Sequence, residues 1–159
     1  MLLNGDALPV VYKNFITSKQ IDLILNREYE WKVGSTISED SHRVVNTTSI
    51  IRYYNLKGMV ARQIADHNNT FKYDARQINE MNLLHYKRGG KYDWHQDVSW
   101  GAEQHRKFTF IIQLSDPEDY KGGDLEFRDG EFNLDGVREK GSLILFPSML
   151  YHRITPLKK

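Results

Sequence analysis

Residues 92–100 read YDWHQDVSW, and the pair His95 and Asp97 is where this chain could do chemistry. An imidazole and a carboxylate two positions apart on a strand project to one face and can share a metal ion. The pair alone decides little. Six histidines and twelve aspartates in 159 residues should give about 0.4–0.5 such pairs by accident. Two ligands are also too few for a transition metal, so a third must come from elsewhere in the chain.

There is no cysteine, which excludes thiolate zinc sites, iron–sulfur clusters, disulfides and cysteine nucleophiles. A metal site must use His, Asp and Glu. His42 follows the polar stretch STISEDS and His67 sits between Asp66 and Asn68, so both read as surface residues. His85, beside Tyr86, reads as a core histidine, and His105 lies in a charged strand start. His152 differs, because an apolar strand and a Pro-Ser turn (SLILFPSMLYH) deliver it toward a sheet interior. It is either the third ligand or a hydrogen-bonded core histidine. Two histidines and one carboxylate form the facial triad of non-haem Fe(II) oxygenases. Zinc hydrolases use the same donors, usually with a helical HExxH, which is absent here. No Gly-x-Ser-x-Gly, P-loop or GxGxxG occurs.

The elements that would position these residues fall into two textures. FITSKQIDLILNREYE carries a capping box, Thr17 with Gln20, followed by Ile21, Ile24 and Leu25 at helical spacing, and predicts a helix over about 18–30. HRVVNTTSIIRYY reads as extended. Met59, Val60, Ile64 and Phe71 fall on one face of a second helix over about 57–69. From residue 78 onward short strands alternate with turns: NEMNLLHYK, a turn at residues 88–90, YDWHQD, RKFTFIIQLS, DLEF, GSLILFP and LYHRIT. The largely apolar RKFTFIIQLS is expected to be buried on both faces or to line a closed core. The expected class is mostly β with supporting helices: a double-stranded β-helix (jelly roll, cupin-like) with N-terminal helices packed on one sheet.

The bulk composition agrees with one globular domain over residues 1–159, at 40% hydrophobic and 27% charged residues. A net charge of +1 gives no global attraction to nucleic acid, membrane or an acidic partner. The N-terminus has neither the basic nor the apolar region of a signal peptide, and no stretch is apolar enough to span a membrane. A cytoplasmic protein is expected.

The segments YKRGGKYDWHQD, KFTFIIQLSDPEDYKGGDLEF and GSLILFPSMLYHRITPL together resemble the Fe(II)- and 2-oxoglutarate-dependent dioxygenases of the prolyl-4-hydroxylase-like, PKHD-type branch, over about residues 78–157. The resemblance implies that His95, Asp97 and His152 hold Fe(II). It implies that Tyr86 meets the 2-oxoglutarate carboxylate, or else is a core tyrosine, and that Gln113 lies beside the cosubstrate. Arg106 and Trp100 would face substrate, and Gly122–Gly123 would be a structural turn. It also implies a basic partner for the far carboxylate of 2-oxoglutarate about ten residues after the second histidine. That partner is expected beyond Lys159, or else Lys158 or Lys159 takes its place, and the last strand of the family fold would lie beyond this sequence.

The implied reaction hydroxylates an amino-acid side chain, prolyl in a peptide or protein being the leading substrate, with O2 consumed and succinate and CO2 released. The cofactors are Fe(II) and 2-oxoglutarate, with room for ascorbate. Two alternatives stay open: a catalytically silent double-stranded β-helix used for binding, and a dioxygenase acting on nucleobases or small molecules. Near-neutral charge and the lack of a base-stacking basic groove weigh against nucleobases.

Overall fold

The structure is a computed structural model that describes residues 9–34, 42–71, 73–98 and 106–159. In chain order the elements are β1 (Val10–Tyr12), α1 (Ser18–Leu25), β2 (Lys32–Val33), β3 (Arg43–Val44), β4 (Asn46–Ser49) and α2 (Tyr54–Phe71). These are followed by β5 (Asn82–His85), β6 (Lys91–His95), β7 (Phe108–Ile112), β8 (Leu125–Phe127), β9 (Leu143–Pro147) and β10 (His152–Ile154). Among the described residues the protein is mostly β-sheet with two helices. Its strands form three antiparallel sheets of order β1-β9-β7, β3-β6-β10-β8 and β2-β4-β5.

Helix α1 starts where the capping box puts it. The Gln20 amide N–H donates to the Thr17 hydroxyl at 3.3 Å, and the Thr17 N–H donates to the Gln20 side chain at 2.9 Å. The helix stops at Leu25 rather than near residue 30. The Tyr29 hydroxyl donates to the Ile24 carbonyl at 2.6 Å, occupying an acceptor that a further helical turn would need. Helix α2 begins three residues earlier than its periodicity predicts, because the turn at Ile50–Tyr53 runs straight into it. The stretch expected to be extended to residue 54 therefore ends as strand at Ser49.

Strands β7 and β9 divide the molecule. On β7, Phe108, Phe110 and Ile112 pack against a core that holds Ile21 and Ile24 of α1 and Leu56, Val60 and Ile64 of α2. Leu145 of β9 belongs to the same core. Alternation sends the next residue, Phe146, to the opposite face. There its ring meets Phe127 of β8 at 5.0 Å and His152 of β10 at 4.8 Å, both edge-on. The first two sheets thus face each other across Phe146, which is fully buried. This explains why Leu143–Phe146 is apolar without interruption: β9 has no solvent face.

Two glycine turns hold the chain after β10. Gly89, at φ 81°, lies in the turn predicted at residues 88–90, and its N–H donates to the Leu157 carbonyl at 2.8 Å. Gly122, at φ 72°, packs so closely that a Cβ there would lie 2.2 Å from the Pro156 oxygen. Only glycine combines that left-handed backbone with that approach.

Candidate metal centre

His95 ends β6 and His152 begins β10, and the two are direct partners across the antiparallel pair. Cross-strand partners share a face, and their rings stand 4.2 Å apart between centroids. The pairing is interrupted just beyond them. Tyr92 pairs with Ile154, so Asp93 and Trp94 stand opposite Arg153 alone. Two residues against one is a β-bulge, which re-aims the side chains on either side of it. It brings Tyr92 onto the same face as His95 despite their odd spacing, and the two rings stack at 3.4 Å, 13° from parallel. Trp94 takes the other face, beneath the Arg153 guanidinium at 4.6 Å.

Asp97 reaches the histidines differently from the strand alternation expected of it. It lies in the bend after β6, where its N–H donates to the Ser148 carbonyl at 2.9 Å. Its Oδ1 is 3.5 Å from His95 Nε2, and its Oδ2 is 3.5 Å from His152 Nε2. One ligand atom from each of the three residues lies within 4.8 Å of the others.

The donor set suits a divalent metal. His95 Nδ1 is 2.7 Å from the Asp93 carbonyl, and His152 Nδ1 is 2.9 Å from the Leu150 carbonyl. A carbonyl oxygen only accepts, so each Nδ1 carries a proton and each Nε2 is the ring atom turned toward Asp97. Burial, and then the neighbouring His152, push the His95 pKa down to about 4, so its ring is neutral at pH 7. A neutral His95 and a carboxylate at 3.5 Å make no ion pair. Two imidazole Nε2 atoms and a carboxylate aimed at one point form a donor set that can hold a cation between them.

Two residues that sequence reasoning missed hold the carboxylate. The Thr109 hydroxyl donates to Asp97 Oδ2 at 2.6 Å and lies 3.0 Å from the hydroxyl of Ser148, which is fully buried. Thr109 sits on the face of β7 opposite Phe108 and Phe110, as alternation requires. A signal existed: one hydroxyl inside the apolar run FTFIIQ, and another directly after the FP of the following strand.

The other predicted site residues fall in different places. Tyr86 follows β5, and burial pushes its hydroxyl up to about 12 while the nearby Arg43 guanidinium pulls the other way. It remains a donor at neutral pH. The Gln113 amide donates to the Tyr120 hydroxyl at 2.7 Å. Arg106 pairs with Glu80, and Trp100 and His105 lie outside the described residues. His42 is exposed, as expected. His67 is not a free surface residue, since its Nε2 lies 2.7 Å from the Tyr12 hydroxyl. Nor is His85 a core histidine. It is exposed and packs on Trp31, ring centroids 5.5 Å apart, because it falls at the end of β5.

Known proteins resemble this chain over the segment that carries the site. The curated relatives include a PKHD-type hydroxylase of Parvibaculum lavamentivorans, 34% identical over 89 residues, covering 55% of this chain and 41% of the relative. The PKHD-type hydroxylase PiuC of Pseudomonas aeruginosa is 35% identical over 81 residues, covering 46% of this chain and 35% of the relative. A PKHD-type hydroxylase of Synechococcus sp. (strain CC9902) is 31% identical over 86 residues, covering 52% and 37%. The matched stretch thus spans about two fifths of these relatives' length. The family model of the 2OG-Fe(II) oxygenase superfamily matches residues 81–159, which contain His95, Asp97 and His152. Fe(II) and 2-oxoglutarate are the cofactors that this match implies. Over that segment the chain is similar to 2OG-Fe(II) oxygenases, and the curated relatives it matches there are PKHD-type hydroxylases.

Proposed function

We propose that this protein is a hydroxylase that uses Fe(II) and 2-oxoglutarate to hydroxylate an amino-acid side chain, prolyl in a peptide or protein being the leading candidate. The observation that carries the proposal is the convergence of two Nε2 atoms on the Asp97 carboxylate, with both Nδ1 atoms tied to backbone carbonyls. The two facing sheets are read as a double-stranded β-helix whose interior holds the site.

In this reading His95, Asp97 and His152 would hold the iron. Bound there with 2-oxoglutarate, the metal supplies the oxidising chemistry that turns O2, cosubstrate and a substrate C–H into succinate, CO2 and C–OH. The protein's own task is positional. Thr109 fixes the Asp97 carboxylate, the two backbone carbonyls fix the imidazoles, and Tyr86 offers a hydroxyl proton to an anionic cosubstrate. The rings of Phe146, Phe127 and Tyr92 wall the histidines off from water.

The test is Fe(II)-dependent release of succinate from 2-oxoglutarate by the full protein, with proline-containing peptides as first substrates and Asp97→Ala as the control. Turnover that survives Asp97→Ala, or no Fe(II) binding in an anaerobic titration, would sink the reading. Fe(II) binding without any 2-oxoglutarate turnover would favour a silent binding module on the same fold.

A further inference from the structure

We infer that the outer edge of β8 docks an extended acidic peptide, which adds antiparallel to the four-stranded sheet and sets a carboxylate against Arg128. Strand β8 ends the sheet of order β3-β6-β10-β8. On its inner side the Arg128 N–H donates to the Tyr151 carbonyl at 2.9 Å, and the Asp124 carbonyl accepts the Thr155 N–H at 3.0 Å. In an antiparallel strand, residues whose backbone groups face one neighbour alternate with residues that face the other. The N–H and C=O of Leu125 and Phe127 therefore point away from β10, and no backbone group among the described residues meets them. Such an edge is a template for another strand.

The chain turns back beside this edge without pairing to it. Gly130, at φ 116°, lets Phe132 fold against β8, where its ring meets Phe127 edge-on at 5.5 Å. Residues 131–134 make no backbone hydrogen bond to β8 among the described residues, and the Leu134 carbonyl accepts from Val137 instead. An open groove of about 410 Å³ results, with Trp94, Glu126, Arg128, Phe132 and Leu134 in its lining. Alternation puts Glu126 and Trp94 on the sheet face opposite His152 and His95, so the groove lies back to back with the metal centre.

Charge selects the occupant. Of the two charged side chains in the groove, Glu126 is spent on Arg153 at 2.6 Å. Arg128 is exposed, lies over the Tyr151 ring at 5.3 Å and has no carboxylate partner among the described residues. Asp129 and Glu131 flank it in sequence but do not line the groove. An occupant must supply backbone donors and acceptors for the edge, apolar side chains for Phe132 and Leu134, and an anion for the guanidinium. An extended peptide with alternating apolar and acidic residues supplies all of them. Phe127 is the direct partner of His152, so the added strand lies two strand spacings, roughly 10 Å, from β10. The inference deepens the functional reading and rests on it for the peptide's role as substrate, whose reacting residue lies beyond the paired stretch.

The probe is a fluorescein-labelled peptide of alternating valine and glutamate, titrated by anisotropy into the full-length protein with and without Fe(II), oxygen excluded. Binding should slow hydrogen exchange of the Leu125 and Phe127 amides at least about tenfold and leave Glu126, already paired to β10, unchanged. N-methylation at the valine nitrogens, which face the edge when glutamate faces Arg128, should abolish binding, whereas methylation at the glutamates should change it within about threefold. Arg128→Gln should weaken the peptide about tenfold and should not affect a glutamine version of it. Equal losses from both methylated peptides, or unchanged exchange at Leu125 and Phe127, would overturn the inference. So would a wild type that sediments as a dimer with those two amides already protected, because a second copy would then hold the edge. No peptide binding by a protein that takes up Fe(II) would overturn it and leave the functional reading standing. Peptide binding by a protein that takes up no Fe(II) would support the docking edge and sink the functional reading, and with it the role as substrate.

Discussion

His95 and His152 stand directly opposite each other across β6 and β10, with the mismatch of a β-bulge beginning at the very next residue. The bulge lets Tyr92 stack on His95 while the register aims His95 at its partner. A regular strand would have turned Tyr92 to the opposite face. The site is thus built from a pairing and from the defect beside it.

Asp97 depends on Thr109 for its orientation. Thr109→Val removes the hydroxyl with little change in volume and deprives Asp97 Oδ2 of its 2.6 Å donor. Fe(II) affinity in an anaerobic titration should fall about 10- to 100-fold, while Thr109→Ser, which keeps the hydroxyl, should stay near wild type. Wild-type affinity in Thr109→Val would mean that the bend after β6 orients the carboxylate unaided.

The metal-free protein should weaken in mild acid through His95. Its folded pKa, about 4, lies below the unfolded value of about 6.5. The unfolded chain therefore takes up the proton first, and stability is full above about pH 6.5. Between there and about pH 4 it should decline, by on the order of 3 kcal/mol. Urea midpoints across that range, wild type against His95→Asn, isolate the contribution. Parallel pH curves for the two proteins would rule it out.

The two faces of β9 should separate stability from metal binding. Leu145 lies in the helix-facing core and Phe146 lies against His152, and both are fully buried. Leu145→Ala should cost about 2–5 kcal/mol and Phe146→Ala about 3–5 kcal/mol. Only Phe146→Ala should also lower the Fe(II) affinity of the folded fraction, because it frees the His152 ring. Equal metal affinity in the two variants would show that Phe146 does not position the histidine.

Gly122→Ala should destabilise by more than about 2 kcal/mol, since its φ of 72° and the Pro156 carbonyl both oppose a side chain. Gly58→Ala is the comparison: it lies in α2, and its added methyl would meet nothing within 4 Å. That change should be neutral or stabilising by up to about 1 kcal/mol. Thermal melts of the two variants settle the contrast, and a Gly122→Ala melt at the wild-type temperature would contradict it.

Signals carried by neighbours in sequence were legible before any fold was known. Thr17 and Gln20 announce the start of α1, the glycines at 89 and 122–123 announce turns, and the apolar runs announce strands. These are local effects, set by hydrogen bonds and dihedral preferences within a few residues. The trio His95, Asp97 and His152 was also legible, because unlike the scattered histidines it came with an ordered set of motifs around it. What sequence could not decide was whatever depends on which strands meet. The end of α1 was set by a tyrosine hydroxyl that captured a helical carbonyl. His67 was drawn to Tyr12 from fifty-five positions away, and His85 turned out to solvent beside Trp31. The bulge at Asp93–Trp94 exists only as a mismatch between β6 and β10. Thr109 reaches Asp97, and Arg43 reaches the stack on His95, only because separate sheet pairings aim them there. Residue types declare what chemistry is available, but the direction of a side chain on a strand depends on register and facing sheet, which only the tertiary structure specifies.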